Sequence, residues 1–292
     1  MSETAVPVAN ARNTIGEGPR WHSGERALYW VDFIDNQHIC RWSPSTQQLE
    51  KHEVPAPITA LGFRRNGGLV VAAQGLLSTY EIGSGAVRPL ATVEQGAPMR
   101  LNDGATDARG RFWVGSMNAS TPETPQGSLY RCTADGAVTR MDTGFTVSNG
   151  LGWSPDAKTF YFVDTFRYVL HAYDFDAEAG TISNRRDFAR FDPSEGTPDG
   201  LTVDAKGHVW IALWGGWKVI RLTPDGRRER EIRLPVSNPT ACTFGGDNLD
   251  ELYITTARLA LSPEELDNQP LAGDLFVARP GVCGQNEPWF GD

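Results

Sequence analysis

The chain has 292 residues, a net charge of −9, 40 % apolar residues, nine Trp and thirteen Phe. That apolar content supports a sizeable core, and the surplus of acids argues against phosphate backbones and anionic bilayers, hence against nucleic acid or a membrane as partner. The opening MSETAVPVAN has neither a basic nor an apolar stretch, and no run approaches the roughly 20 apolar residues of a spanning helix, so a cytoplasmic protein without signal peptide is expected.

Along the chain one short text recurs six times: a run rich in aromatic and β-branched residues after a tight turn. The runs are Ala27–Asp32, Gly68–Ala73, Arg111–Ser116, Thr159–Asp164, His208–Leu213 and Glu251–Thr256. Their matched positions Tyr29, Val70, Trp113, Tyr161, Trp210 and Tyr253 lie 41 to 49 residues apart, the period of one propeller blade. The predicted fold is therefore all-β, a six-bladed propeller with a central metal-binding channel, in a single domain spanning residues 1–292. Third strands are expected at Leu129–Gly136, Leu170–Phe175 and Val219–Gly226, the first and last ending in Asp-Gly turns. Ser262–Leu266 is the expected helix, with Ser262 as N-cap, Pro263 at its first position and two Glu in the first turn. Residues 4–12 are expected to pair with the strand near Asp274–Arg279 and so lock the first blade to the last.

Each run is preceded by a strand that opens on a polar residue and, next to it, a small one. The instances are Glu17-Gly18, Thr59-Ala60, Asp103-Gly104, Asn149-Gly150, Asp199-Gly200 and Thr240-Ala241. In a ring these openings meet at one mouth of the axis. Singly, Asn-Gly and Asp-Gly are ordinary turn dipeptides; their shared register in different blades is what points to a site. Three carboxylates and an amide confined there repel one another, and a divalent cation offsets the repulsion. All-oxygen donors suit Ca²⁺, Mg²⁺ or Mn²⁺, and because oxygen accepts several ions Zn²⁺ and Fe²⁺ stay open. Cys40, Cys132, Cys242 and Cys283 are scattered and expected as reduced thiols, with one disulfide left open. The five His show no zinc spacing, no nucleophile elbow or P-loop is present, and Asp174-Phe-Asp176 lacks the rest of an EF-hand.

Five stretches in order, Gly16–Pro19, Arg100–Gly104, Ser148–Ser154, Pro198–Gly200 and Pro239–Gly246, resemble the signatures of the SMP-30/gluconolactonase/regucalcin-like family over about residues 14 to 278. The resemblance implies a six-bladed propeller holding one divalent cation and hydrolysing sugar lactones. It implies Glu17, Asn149 and Asp199 as ligands, the three that the blade alignment also selects. It implies Arg100 and Asn102 as substrate-binding residues; the alignment selects the neighbour Asp103, which is left as a support for the loop. Ser120 stands where some relatives have a sugar-contacting Glu, and Glu123 lies on the same loop. Asp199 is the candidate general base. The expected partner is a small sugar lactone and the default state a monomer. A calcium-dependent phosphotriesterase and a non-enzymatic calcium-binding scaffold are the alternatives.

Overall fold

The computed structural model describes residues 3–291. Six antiparallel sheets follow one another along the chain. Their innermost strands are Gly16–His22, Ile58–Phe63, Met99–Thr106, Ser148–Trp153, Thr197–Val203 and Pro239–Gly245, which define blades one to six. Each packs against the next around the ring, and Pro239–Gly245 packs back on Gly16–His22 to complete the six-bladed propeller. In blade six the outermost strand is Val6–Ala9, paired antiparallel with Leu275–Ala278 in the register Val6 to Val277 and Pro7 to Phe276. Glu3–Thr4 adds a short parallel strand to the edge of blade five, beside Arg228–Arg233.

The second strand of every blade is covered on both faces by neighbouring blades, so it reads as a continuous apolar run rather than an alternating one. Ala27–Asp32 is buried at every position, and Thr159–Asp164 at every position but its first. Trp30, Trp113 and Trp210, from blades one, three and five, are fully buried. Each indole N–H needs an acceptor in that interior. Trp113 Nε1 donates to Asp107 Oδ2 at 2.8 Å and Trp210 Nε1 to Asp204 Oδ2 at 3.0 Å. The other oxygen of each aspartate accepts backbone N–H groups of the following turn, from Arg109 and Arg111 and from Lys206 and His208. One carboxylate thus ties the hairpin between first and second strands to the indole beneath it.

The helix is Pro263–Asn268, with Ser262 and Glu265 forming a reciprocal capping box. All four cysteines are free, Cys283 exposed and the others buried. Among the described residues no helix is long and apolar enough to cross a membrane.

Asp204 also accepts from Arg221 Nε at 3.0 Å and Nη2 at 2.6 Å, and both residues are buried. Asp204→Ala would leave the buried Trp210 indole without its acceptor and Arg221 with Glu229 as its remaining carboxylate, so it should lower unfolding free energy by about 3 kcal/mol in a denaturant titration.

Candidate functional site

In all six blades the pairing between first and second strands slips at the position that the repeat aligns. The slips fall between Glu17 and Arg20, Ile58 and Ala60, Leu101 and Gly104, Asn149 and Leu151, Pro198 and Leu201, and Pro239 and Ala241. A bulge bends its strand and re-aims its side chains. Here it brings Glu17, Asn102, Asp103, Asn149 and Asp199 together at one end of the channel. Gly150 adopts φ +37°, and a Cβ on it would lie 2.7 Å from the Asp199 carbonyl, so glycine alone lets blade four approach blade five this closely. Thr59 and Thr240 face their neighbours instead: Thr59 Oγ1 donates to the Leu101 carbonyl at 3.2 Å, and Thr240 Oγ1 to the carbonyl of Gly16.

A hydrogen-bond chain links three of the expected residues. Arg100 Nη1 donates to Asn102 Oδ1 at 2.6 Å, and Asn102 Nδ2 donates to Asn149 Oδ1 at 2.7 Å and the Ser148 carbonyl at 2.9 Å. Asn149 Nδ2 donates to Thr165 Oγ1 at 2.9 Å, which fixes the amide and leaves Oδ1 one free lone pair. Sequence reasoning missed Thr165. It heads the turn after Thr159–Asp164, and the pairing of Ser148 with Asp164 brings it beside Asn149.

The acids are crowded. Burial, then the charges of Asp199 and Asp103, push the Glu17 carboxyl well above its ordinary 4.5. Burial and Asp103 do the same to Asp199, well above 3.8. Burial raises Asp103 too, against Arg20 and the N–H groups of Gly104 and Gly150. Burial pushes the Arg100 guanidinium down to about 10, with Glu17 opposing. Asp199 is only 6 % exposed, and its buried Oδ1 has no hydrogen-bond partner among the described residues. A bare anionic oxygen in a dry interior is costly unless something positive meets it. Two carboxylates and an amide oxygen fit a hard divalent cation. Among the described residues no group of three or more His, Cys, Asp or Glu is arranged for a metal. Ser120 and Glu123 are exposed on the loop after Phe112–Asn118, and among the described residues neither side chain hydrogen-bonds to the site.

Fold and site together define a propeller whose inner strands gather acids and amides on bulges at one mouth of the ring. Residues 15–258 match the family model for the SMP-30/Gluconolactonase/LRE-like region, and the chain belongs to that family. Regucalcin of Oryctolagus cuniculus is 38 % identical over 276 residues, 92 % of each chain. The crystal structure of a calcium-binding protein, regucalcin, from Agrobacterium tumefaciens superposes with a TM-score of 0.94 at 26 % identity, over 99 % of this chain and 98 % of that one. A gluconolactonase from Xanthomonas campestris shares the fold, with a TM-score of 0.75 at 23 % identity over 94 % of this chain and 88 % of its own.

Raised carboxyl groups make a signed prediction. Without a cation the folded protein retains protons that the unfolded chain has released, so stability from this pair falls as pH rises from the ordinary values of 3.8 and 4.5 through the raised ones. Melting temperature measured with chelator between about pH 5 and pH 8 should therefore decline, and Asp199→Asn should flatten the slope.

Proposed function

We propose that the chain is a divalent-cation-dependent sugar lactonase, opening an aldonolactone to its aldonic acid. The partnerless Asp199 Oδ1 carries this reading, because it lies buried beside a second carboxylate that burial and charge destabilise in the same way. Glu17, Asn149 and Asp199 would hold the cation. Bound there, it supplies Lewis acidity toward a carbonyl oxygen and acidifies nearby water. Membership of a family described by gluconolactonase supports the same chemistry, and the regucalcin of Agrobacterium tumefaciens, a calcium-binding protein, supports the cation.

The chain's own residues have distinct tasks. Asp199 accepts the proton of the attacking water. Arg100 uses Nη1 on the Leu101 carbonyl and on Asn102, and its guanidinium lies 5.6 Å from the Phe33 ring centre. Its remaining N–H groups donate to lactone oxygens. Asn102 commits its amide to Arg100, Asn149 and the Ser148 carbonyl, so its part is to hold the other two in place. Ser120 and Glu123 contribute to sugar choice from the rim, since Asn118 at the start of their loop pairs with Met99, next to Arg100.

The test strips the protein with chelator, restores Ca²⁺, Mg²⁺, Mn²⁺, Zn²⁺ or Fe²⁺ singly, and follows acid release from xylono-, arabinono-, glucono- and galactonolactone. Metal-dependent turnover of one lactone above the others is the expected result; a folded, metal-binding protein that opens none would point to phosphotriesters or to a scaffold. Asp199→Asn should lower kcat by at least about 100-fold with the far-UV spectrum unchanged, the usual loss on removing a general base. A variant near wild-type kcat would take Asp199 out of the mechanism.

A further inference from the structure

The segment covering residues 283–291 crosses the channel at the end opposite the acids. It is anchored on five blades, two to six, the last through the Gly284 N–H, which donates to the Leu249 carbonyl at 2.8 Å. The Ala205 N–H donates to the Cys283 carbonyl at 2.9 Å, and Gln285 Nε2 to the carbonyls of Trp153 and Val203, both at 3.1 Å. Beyond the crossing, the Phe290 N–H donates to the Phe63 carbonyl at 2.7 Å and the Gly291 N–H to the Gly110 carbonyl at 3.0 Å. Phe290 itself is buried in the core between blades two and three. Between these anchors Asn286, Glu287 and Pro288 roof a cavity of about 130 Å³, into which Arg20, Thr106 and Thr243 also project.

Arg20 is 8 % exposed, and its two ends are shared. Nη2 donates to the Gly104 carbonyl at 2.6 Å, and Nε lies 3.5 Å from Glu287 Oε1. After burial, Arg20 is also the foremost charge acting on Asp103. One guanidinium therefore stands between the acid cluster and a carboxylate brought in from the opposite mouth. Ionised, the channel holds four carboxylates, Glu17, Asp103, Asp199 and Glu287, against two guanidiniums, Arg20 and Arg100. Two negative charges are left over, the complement of one divalent cation.

We propose that Glu287 is a positioning residue for the cation site: from the crossing segment it holds Arg20 at the channel floor, so that the guanidinium offsets one carboxylate without neutralising the set that receives the cation. The inference rests on the cation-dependent reading above and adds to it a residue at the far mouth. An Arg20 released from Glu287 turns wholly towards Asp103 and weakens the field that draws the cation in.

Isothermal titration of the chelated full-length protein with Ca²⁺ tests it. Glu287→Gln should raise Kd about five- to tenfold, the effect of one charge across a partly screened channel. Adding Arg20→Gln to that variant restores the charge of the channel and should return Kd to within about twofold of wild type. A purely structural role for the segment predicts instead that the double variant binds as weakly as the single one or worse, which would overturn the proposal. So would a Glu287→Gln variant that binds like wild type. Should Glu287→Gln not fold, Glu287→Asp decides: Kd within about threefold of wild type supports the retained charge, and a loss of tenfold or more overturns it. A wild type that takes up no cation would remove the metal reading and this inference with it; a wild type that binds beside an indifferent Glu287→Gln would remove this inference alone.

Discussion

Closing six twisted sheets into a ring forces their innermost strands to one axis, and that crowding is the constraint on which everything else depends. Strands that meet edge to edge around a narrow channel have room for backbone and small side chains only. The inner strands answer with glycine or alanine beside each polar position, and with a slip in pairing that points the polar side chain along the channel. Blades two and six place threonines there and use the hydroxyls to bond the next strand's backbone. Blades one, three, four and five place acids and amides. Tying the ring and furnishing it are thus shared between blades, through one bulge repeated six times.

The electrostatics follow from the same crowding. A carboxylate in a dry channel raises the cost of ionising its neighbours, and burial is the largest cause acting on Glu17, Asp103 and Asp199 alike. Hydrogen bonds relieve only part of this: Glu17 and Asp199 each draw on a neighbouring backbone N–H, of Gly18 and of Gly200, while the amides are committed to one another. Asn102 is the clearest case, with its amide joined to Arg100 on one side and to Asn149 and Ser148 on the other. Among the described residues none supplies a partner for Asp199 Oδ1.

Much of the fold was legible because burial on both faces writes each second strand as an uninterrupted apolar run. Ala27–Asp32, Thr159–Asp164 and Glu251–Thr256 begin and end where the sequence places them. Gly68, Arg111 and His208 belong to the preceding turns, since those strands start one residue later. Glu17, Asn149 and Asp199 were selected by register because the bulge recurs at the same place in each repeat. In blade three the slip spans Leu101 to Gly104, so both Asn102 and Asp103 lie within it, and repeat alignment and family resemblance each found one of the two. Arg20 and Glu287 were not legible. Their meeting depends on where a segment without blade periodicity docks, and no repeat encodes that.

Blade six is built from strands at opposite ends of the chain, Val6–Ala9 beside Leu275–Ala278. The other sheets take all or nearly all of their strands from consecutive sequence, so they can assemble as hairpins while the chain is being made. Blade six cannot. Bringing such distant partners together carries a loop-closure entropy of about 5 kcal/mol, against which the final pairing is set. Until then Leu275–Ala278 lacks its outer neighbour, and an unpaired strand edge is a template for another chain. The pairing that closes the ring is thus also the step that ends this exposure to aggregation, and it waits until Leu275–Ala278 has been made.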